Sequence, residues 1–170
     1  INNQSINWEY DKLNPDICKL ILNTALLPKD SIEISTPFYV KIPSAKFSRL
    51  GHSEQAYFIT QWYPKPAVFD NEGWHPVPYL DQGEFYSEFG SFEVNITLPE
   101  NYLLCATGNR VNAKEELDFL NSKIIESQEK LKNIIPSETN MNFPVSALKF
   151  KTITFKQNQI HDFAWFADKR

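Results

Sequence analysis

Hydrophobic and polar positions alternate over Ile32, Ile34, Thr36, Phe38, Val40 and Ile42, with Glu33, Ser35, Tyr39 and Lys41 between them. Period two puts one set of side chains on one face, so the stretch predicts a strand with one side on a core. Phe92, Val94, Ile96 and Leu98 repeat the pattern against Glu93, Asn95 and Thr97. Pro99 ends that strand, because it has no amide to donate. Weaker strand patterns cover residues 5–10, 17–22, 54–61, 102–106, 148–155 and 160–166. Together they predict a mainly β fold, an antiparallel sandwich or saddle-like domain, with one inserted α-helix.

The helix is predicted over residues 113–133 within an insertion of about 113–135. Asn112 and Glu115 fit a capping box, which satisfies free amides at the helix start. Leu117, Leu120, Ile124 and Leu131 form an apolar stripe with helical spacing. Glu115 and Glu116 stand at the start, and Lys130 and Lys132 at the end, as the helix dipole favours. Pro136 closes the segment. The stripe predicts a helix laid on its own sheet, with a coiled-coil partner as the alternative.

The chain has 170 residues, enough for a single domain spanning 1–170 with its own core. No apolar stretch is long enough to span a membrane. The net charge of −4 argues against a nucleic-acid partner. Cys18 and Cys105 lie in apolar runs, so two buried, inert thiols are expected rather than one bridge. Asn3-Gln4-Ser5 and Asn95-Ile96-Thr97 match the glycosylation sequon, which is too short to fix a compartment. The first residue is Ile, so a processed form or a piece of a longer protein is expected.

Nearly half of the aromatic side chains fall between Tyr57 and Phe92, including Tyr63, Phe69, Trp74 and Tyr86. The same window carries Asp70, Glu72, Asp81, Glu84 and Glu88 against Lys65 alone. Pro64, Pro66, Pro76 and Pro78 keep its middle out of helices and central strands. Two readings stand side by side. The loop packs its rings into a satellite core, or it presents aromatic faces and carboxylates to a cationic or glycan ligand.

Recognisable catalytic patterns are absent. His52, His75 and His161 stand apart, and none opens an H-E-x-x-H, so each is expected to be a hydrogen-bonded structural histidine. There is no Cys-x-x-Cys, P-loop, G-x-S-x-G or G-x-G-x-x-G. No catalytic and no metal-binding residue is assigned.

Three segments nevertheless carry a resemblance. They are Thr60-Gln61-Trp62-Tyr63-Pro64; Gly90 to Pro99 followed by Ala106-Thr107-Gly108; and Lys151 to Phe155 with His161 to Ala167. Jointly they resemble the amino-terminal sheet domain of zinc metallopeptidases of the aminopeptidase N and leukotriene-hydrolase family, in a bacterial branch. The resemblance implies a non-catalytic domain that forms one wall of a peptide-substrate cleft beside its own catalytic domain. No cofactor is implied for this chain; zinc is expected in the catalytic domain of the parent protein. Gln61 would line the substrate-binding end of the cleft, with Tyr63 and Glu84 nearby. Tyr63 stands where the family has an acidic residue or Gln that helps to hold the substrate amine. A neutral phenol has no full negative charge, and Glu84 would restore it.

Two other readings remain open. One is an extracellular β-sandwich module that binds glycan or protein through the aromatic loop 57–92. The other is a peptidase-like relative that has lost its zinc and serves as a scaffold. The compartment is left open, with a lean towards the cell envelope or secretion.

Overall fold

A computed structural model describes residues 1, 5–46, 48–80, 82–111, 113–133 and 143–169. Over these residues the fold is mainly β with antiparallel sheets and one helix, as the alternation predicts. The chain forms two compact units, Ile1–Val40 with Tyr63–Glu88, and Lys41–Trp62 with Phe89–Arg170.

The first unit is built from two hairpins. Strand β1 (Asn7–Tyr10) pairs with β2 (Cys18–Ile21), setting Trp8 opposite Leu20. Its connection is held by Asp11, whose Oδ1 accepts the amides of Leu13 and Asn14 at 2.9 and 2.8 Å. An Asp side chain bonding its own backbone a few residues on makes a turn without help from tertiary packing. The unit contributes one side chain to the buried apolar set, Val68, while Trp8 and Tyr10 stay more than half exposed.

The second unit holds the core. Strands β3 (Gly51–Ser53), β4 (Ala56–Ile59), β8 (Leu103–Ala106) and β11 (Trp165–Asp168) form one antiparallel sheet in the order β3-β4-β11-β8. Strands β7 (Gly90–Pro99), β9 (Asn109–Arg110) and β10 (Phe150–Ile160) form another, with β10 in the middle. Along β7 and β10 the alternation acts as expected. Ile96 faces Ile153, and Ile96, Leu98, Ile153 and Phe155 are all buried. On the opposite face Thr97 bonds Thr152 at 2.8 Å, Thr154 donates to Asn95 at 2.6 Å, and Lys156 meets Glu93 at 2.9 Å. Such cross-strand pairs are the unit of sheet stability. Asn95 of the second sequon thus lies mid-strand; Asn3 and Gln4 of the first fall outside the described residues.

The two sheets of this unit share core residues at Phe163, which is fully buried and stacks on Phe92 with ring centres 6.1 Å apart. Burying a Phe contributes about 1.5–3 kcal/mol. After β8 the chain turns through Gly108 at φ 90°. A Cβ there would lie 2.8 Å from the Lys156 carbonyl oxygen, so only glycine fits both the angle and the space. Thr107 locks the turn to the start of β11. Its amide donates to the Ala164 carbonyl at 2.9 Å, and its hydroxyl accepts the Ala164 amide at 3.1 Å.

Helix α1 spans Ala113–Leu131, close to the predicted limits. The cap assigned to Asn112 and the stop at Pro136 lie outside the described residues. The packing of the stripe is corrected. Leu117, Ile124 and Leu131 are 46%, 54% and 67% exposed, while Leu120 is half-buried. The helix is held by a neighbouring face instead. Glu116 is buried and bonded to Lys151 of β10, whose ammonium also lies 4.0 Å from the Phe119 ring centre.

Two further expectations change. Residues 32–42 form no strand, and Ile34, Phe38 and Tyr39 are exposed. Pro37 removes an amide from the middle of that stretch, and none of the described strands pairs with it. Cys18 and Cys105 are free and exposed, not buried. Cys18 is part of a hairpin whose residues are all exposed, and Cys105 lies opposite the exposed Phe166.

Candidate functional site

Gln61 lies two residues past Ile59, the last residue of β4, and has φ 51°, in the left-handed region. That conformation is unfavourable for a residue with a Cβ, and Gln lacks the short polar side chain with which Asn or Asp stabilises it. The next residue explains how the chain is held there. Trp62 donates its indole N–H to the Phe163 carbonyl at 3.0 Å, tying the end of β4 to the most buried side chain of the unit. Directly before Gln61, the Thr60 hydroxyl is buried without a hydrogen-bond partner. Strain and an orphaned hydroxyl therefore meet at one strand end. Gln61 itself is half-buried.

Tyr63 and Glu84 belong to the first unit, Gln61 to the second. Within the first unit Tyr63 is brought to the segment that carries Glu84 by Lys65. The Lys65 ammonium lies 5.4 Å from the Tyr63 ring centre and 5.7 Å from that of Phe85, the residue after Glu84. The one basic residue of the acidic window thus supplies a cation to its aromatic faces. Lys65 and Phe85 were not singled out from the sequence as site residues. The isolation of Lys65 among acidic neighbours was the available signal.

The rest of the window folds around the first unit's second hairpin, β5 (Val68–Asp70) paired with β6 (Gly73–His75). Phe69 and Trp74 face each other across it, with ring centres 5.0 Å apart, and are 65% and 67% exposed. Along this hairpin His75 Nε2 lies 2.7 Å from Asp70 Oδ1. The imidazole N–H donates to the carboxylate, and this bond, with the amides of Glu72 and Gly73, holds Asp70 below the usual carboxylate range. Tyr86 packs edge-on against His75 at 5.4 Å, and Tyr79 meets Phe85 at 5.8 Å. The Tyr79 amide donates to Asp16, which pins this segment to the loop joining β1 and β2.

His52 Nδ1 is 2.9 Å from the Glu54 carbonyl oxygen, and His161 packs against Phe89 at 5.1 Å. Among the described residues no three His, Cys, Asp or Glu side chains are grouped to hold a metal ion. No helix of the described residues is long and apolar enough to cross a membrane. A concavity of about 500 Å³ in the first unit is lined by Ile6, Leu22, Leu26, Lys29 and Ile32, and by none of Gln61, Tyr63 or Glu84.

Compared with known proteins, the chain matches no family model, no curated sequence and no solved structure.

Proposed function

We propose that the chain is the non-catalytic amino-terminal domain of a zinc-dependent, aminopeptidase-like metallopeptidase, and that it forms one wall of the peptide-substrate cleft. The observation that carries this reading is Gln61. It sits in Thr60-Gln61-Trp62-Tyr63-Pro64, at the end of a core strand, in a left-handed conformation that nothing in its own chemistry favours. Backbone strain of this kind, costing about 1–3 kcal/mol, persists where the surroundings over-determine it, and it clusters at ligand clamps. An amide side chain fixed there can donate to and accept from a peptide backbone. Zinc would be held by another part of the parent protein, since among the described residues no three His, Cys, Asp or Glu side chains are grouped to hold it. The test is a peptidase assay and metal analysis of the complete protein. A parent with bound zinc and peptidase activity that falls on Gln61→Ala supports the reading. A parent with neither zinc nor H-E-x-x-H points to the scaffold.

A second reading has its own observation. Phe69 and Trp74 form a paired, two-thirds exposed aromatic face beside Asp70 and Glu72. Aromatic faces next to carboxylates suit a glycan or a cationic protein segment. Glycan titration followed by tryptophan fluorescence, in the native chain and in Trp74→Ala, separates this binding module from the peptidase domain.

A further inference from the structure

Two charged side chains are buried among the described residues, Glu116 and Lys169. Glu116 has its ion partner in Lys151. Lys169, 5% exposed, instead donates from Nζ to the Ser146 hydroxyl oxygen at 2.6 Å and lies 5.1 Å from the Tyr102 ring centre. A cation taken out of water needs strong partners. Here it meets a hydroxyl and an aromatic face.

Three separate segments of the second unit bring these groups together. Leu103 opens β8 and pairs with Asp168, the last residue of β11. Tyr102 and Lys169 each stand one position outside that pair. Ser146 comes from the stretch between α1 and β10, and Asn101 grips it on both sides. The Asn101 Nδ2 donates to the Val145 carbonyl at 2.9 Å, and its Oδ1 accepts the Ala147 amide at 3.0 Å. Ser146 is half-buried between them. The Tyr102 phenol is hydrogen-bonded to both Ser146 and Tyr57. Burial, and then the nearby Tyr57, holds that phenol above its usual value. It therefore stays neutral and can donate to negative charge that develops beside Ser146.

A hydroxyl within hydrogen-bond reach of an amine, with a third group fixing the pair, is the arrangement of an activated nucleophile. We propose that Ser146 is an acyl-accepting serine, esterified once per chain by an activated ester, with Lys169 as its proton acceptor. Lys169 acts through Ser146 and is a positioning residue. In its amine form Nζ takes the Ser146 proton while Oγ attacks the ester carbonyl carbon. The bond from that carbon to the leaving oxygen then breaks, and its electron pair departs with the leaving group. The products are a Ser146 ester, a Lys169 ammonium and the released oxyanion. This is a stoichiometric modification, compatible with a domain that hydrolyses no peptide.

The experiment treats the 170-residue chain with p-nitrophenyl acetate and follows acetylation of Ser146 by peptide mass mapping as pH is varied. The expected result is an acetyl ester at Ser146, formed with a sigmoid rise in rate as the Lys169 amine is freed. Lys169→Met removes the proton acceptor, and Lys169→Arg keeps a cation that cannot accept a proton. Each should slow acetylation of Ser146 by about a hundredfold or more, and leave only the linear rise of an ordinary alcohol. Circular dichroism checks that both variants fold. A native chain whose Ser146 stays unmodified while exposed lysines are acetylated overturns the proposal, whatever the variants do. So does a folded Lys169 variant whose Ser146 reacts at the native rate and with the native pH profile.

Discussion

Lys151 Nζ sits 2.8 and 3.0 Å from the two carboxylate oxygens of Glu116, joining the middle strand of the β7-β10-β9 sheet to the first turn of α1. Both side chains are largely shielded, at 18% and 7% exposure, and the ammonium also faces the Phe119 ring. An ion pair taken out of water gains little over an apolar pair, but removing one partner leaves the other charge buried and alone. The helix is therefore attached by a post rather than by a greasy face.

It follows that Lys151→Ala should destabilise the chain by about 3 kcal/mol. Leu117→Ala and Leu131→Ala, at exposed stripe positions, should stay within about 0.5 kcal/mol. Urea denaturation of the three variants measures both. A costly Leu131→Ala with a harmless Lys151→Ala would reverse the account of how α1 is held.

The Asp70–His75 bond makes the β5–β6 hairpin sensitive to acid. Asp70 is held below its ordinary value of 3.8, chiefly by the His75 hydrogen bond and then by the Glu72 amide. A carboxylate whose folded pKa is depressed contributes stability above its unfolded pKa and loses it as pH falls through the folded one. The hairpin should therefore loosen below about pH 3.8. Glu126 behaves in the same sense on α1, lowered to about 2 by hydrogen bonds from Lys123 and then Lys130. Asp70→Asn should remove the acid step from the Trp74 fluorescence titration, and Glu126→Gln should remove it from the helix signal. An unaltered titration in both variants would show that neither pair titrates with the fold.

How far these features are legible in the sequence depends on where each residue finds its partner. The alternation in β7 is readable because β10 answers it within the chain, Ile96 against Ile153. The equally regular alternation at residues 32–42 has no such partner and is interrupted by Pro37, so periodicity alone overstates it. The helix announces its existence through its charges and spacing. Its packing does not follow, because a stripe says which residues share a face and not what covers that face. Glu116 and Lys151 are 35 positions apart, beyond any local pattern. Gln61 is visible through the run that contains it, whereas its left-handed backbone is not, since Gln has no preference for that region.

Backbone strain at two positions predicts opposite signs. Gln61→Gly should stabilise by about 1 kcal/mol, because glycine adopts φ 51° without the Cβ penalty. Gly108→Ala should destabilise by about 2 kcal/mol or more, since it adds strain at φ 90° and a contact 2.8 Å from the Lys156 carbonyl oxygen. Thermal unfolding of both variants gives the signs. A destabilised Gln61→Gly would mean that the side chain contributes more than its backbone costs.

The last prediction concerns recognition of a substrate amine in the complete protein. If this chain forms a cleft wall, Gln61 should bond the substrate backbone, and Glu84 should offset the charge that Tyr63 lacks. The Lys65 ammonium already lies over Tyr63 and Phe85, so a substrate amine would meet a surface that accepts a cation from its own chain. Glu84→Gln should then reduce kcat/KM for peptides with free amino termini, and leave peptides with blocked ones unchanged. Gln61→Ala should lower both. A charge-assisted bond contributes about 1.5–3 kcal/mol, so the Glu84→Gln loss should be about ten- to a hundredfold. Lys65→Ala uncovers the Tyr63 and Phe85 rings and should favour free-amine substrates. Equal activity on free and blocked peptides in the native protein and in every variant would remove amine recognition from this domain. It would leave the wall with a positioning role for the peptide backbone alone.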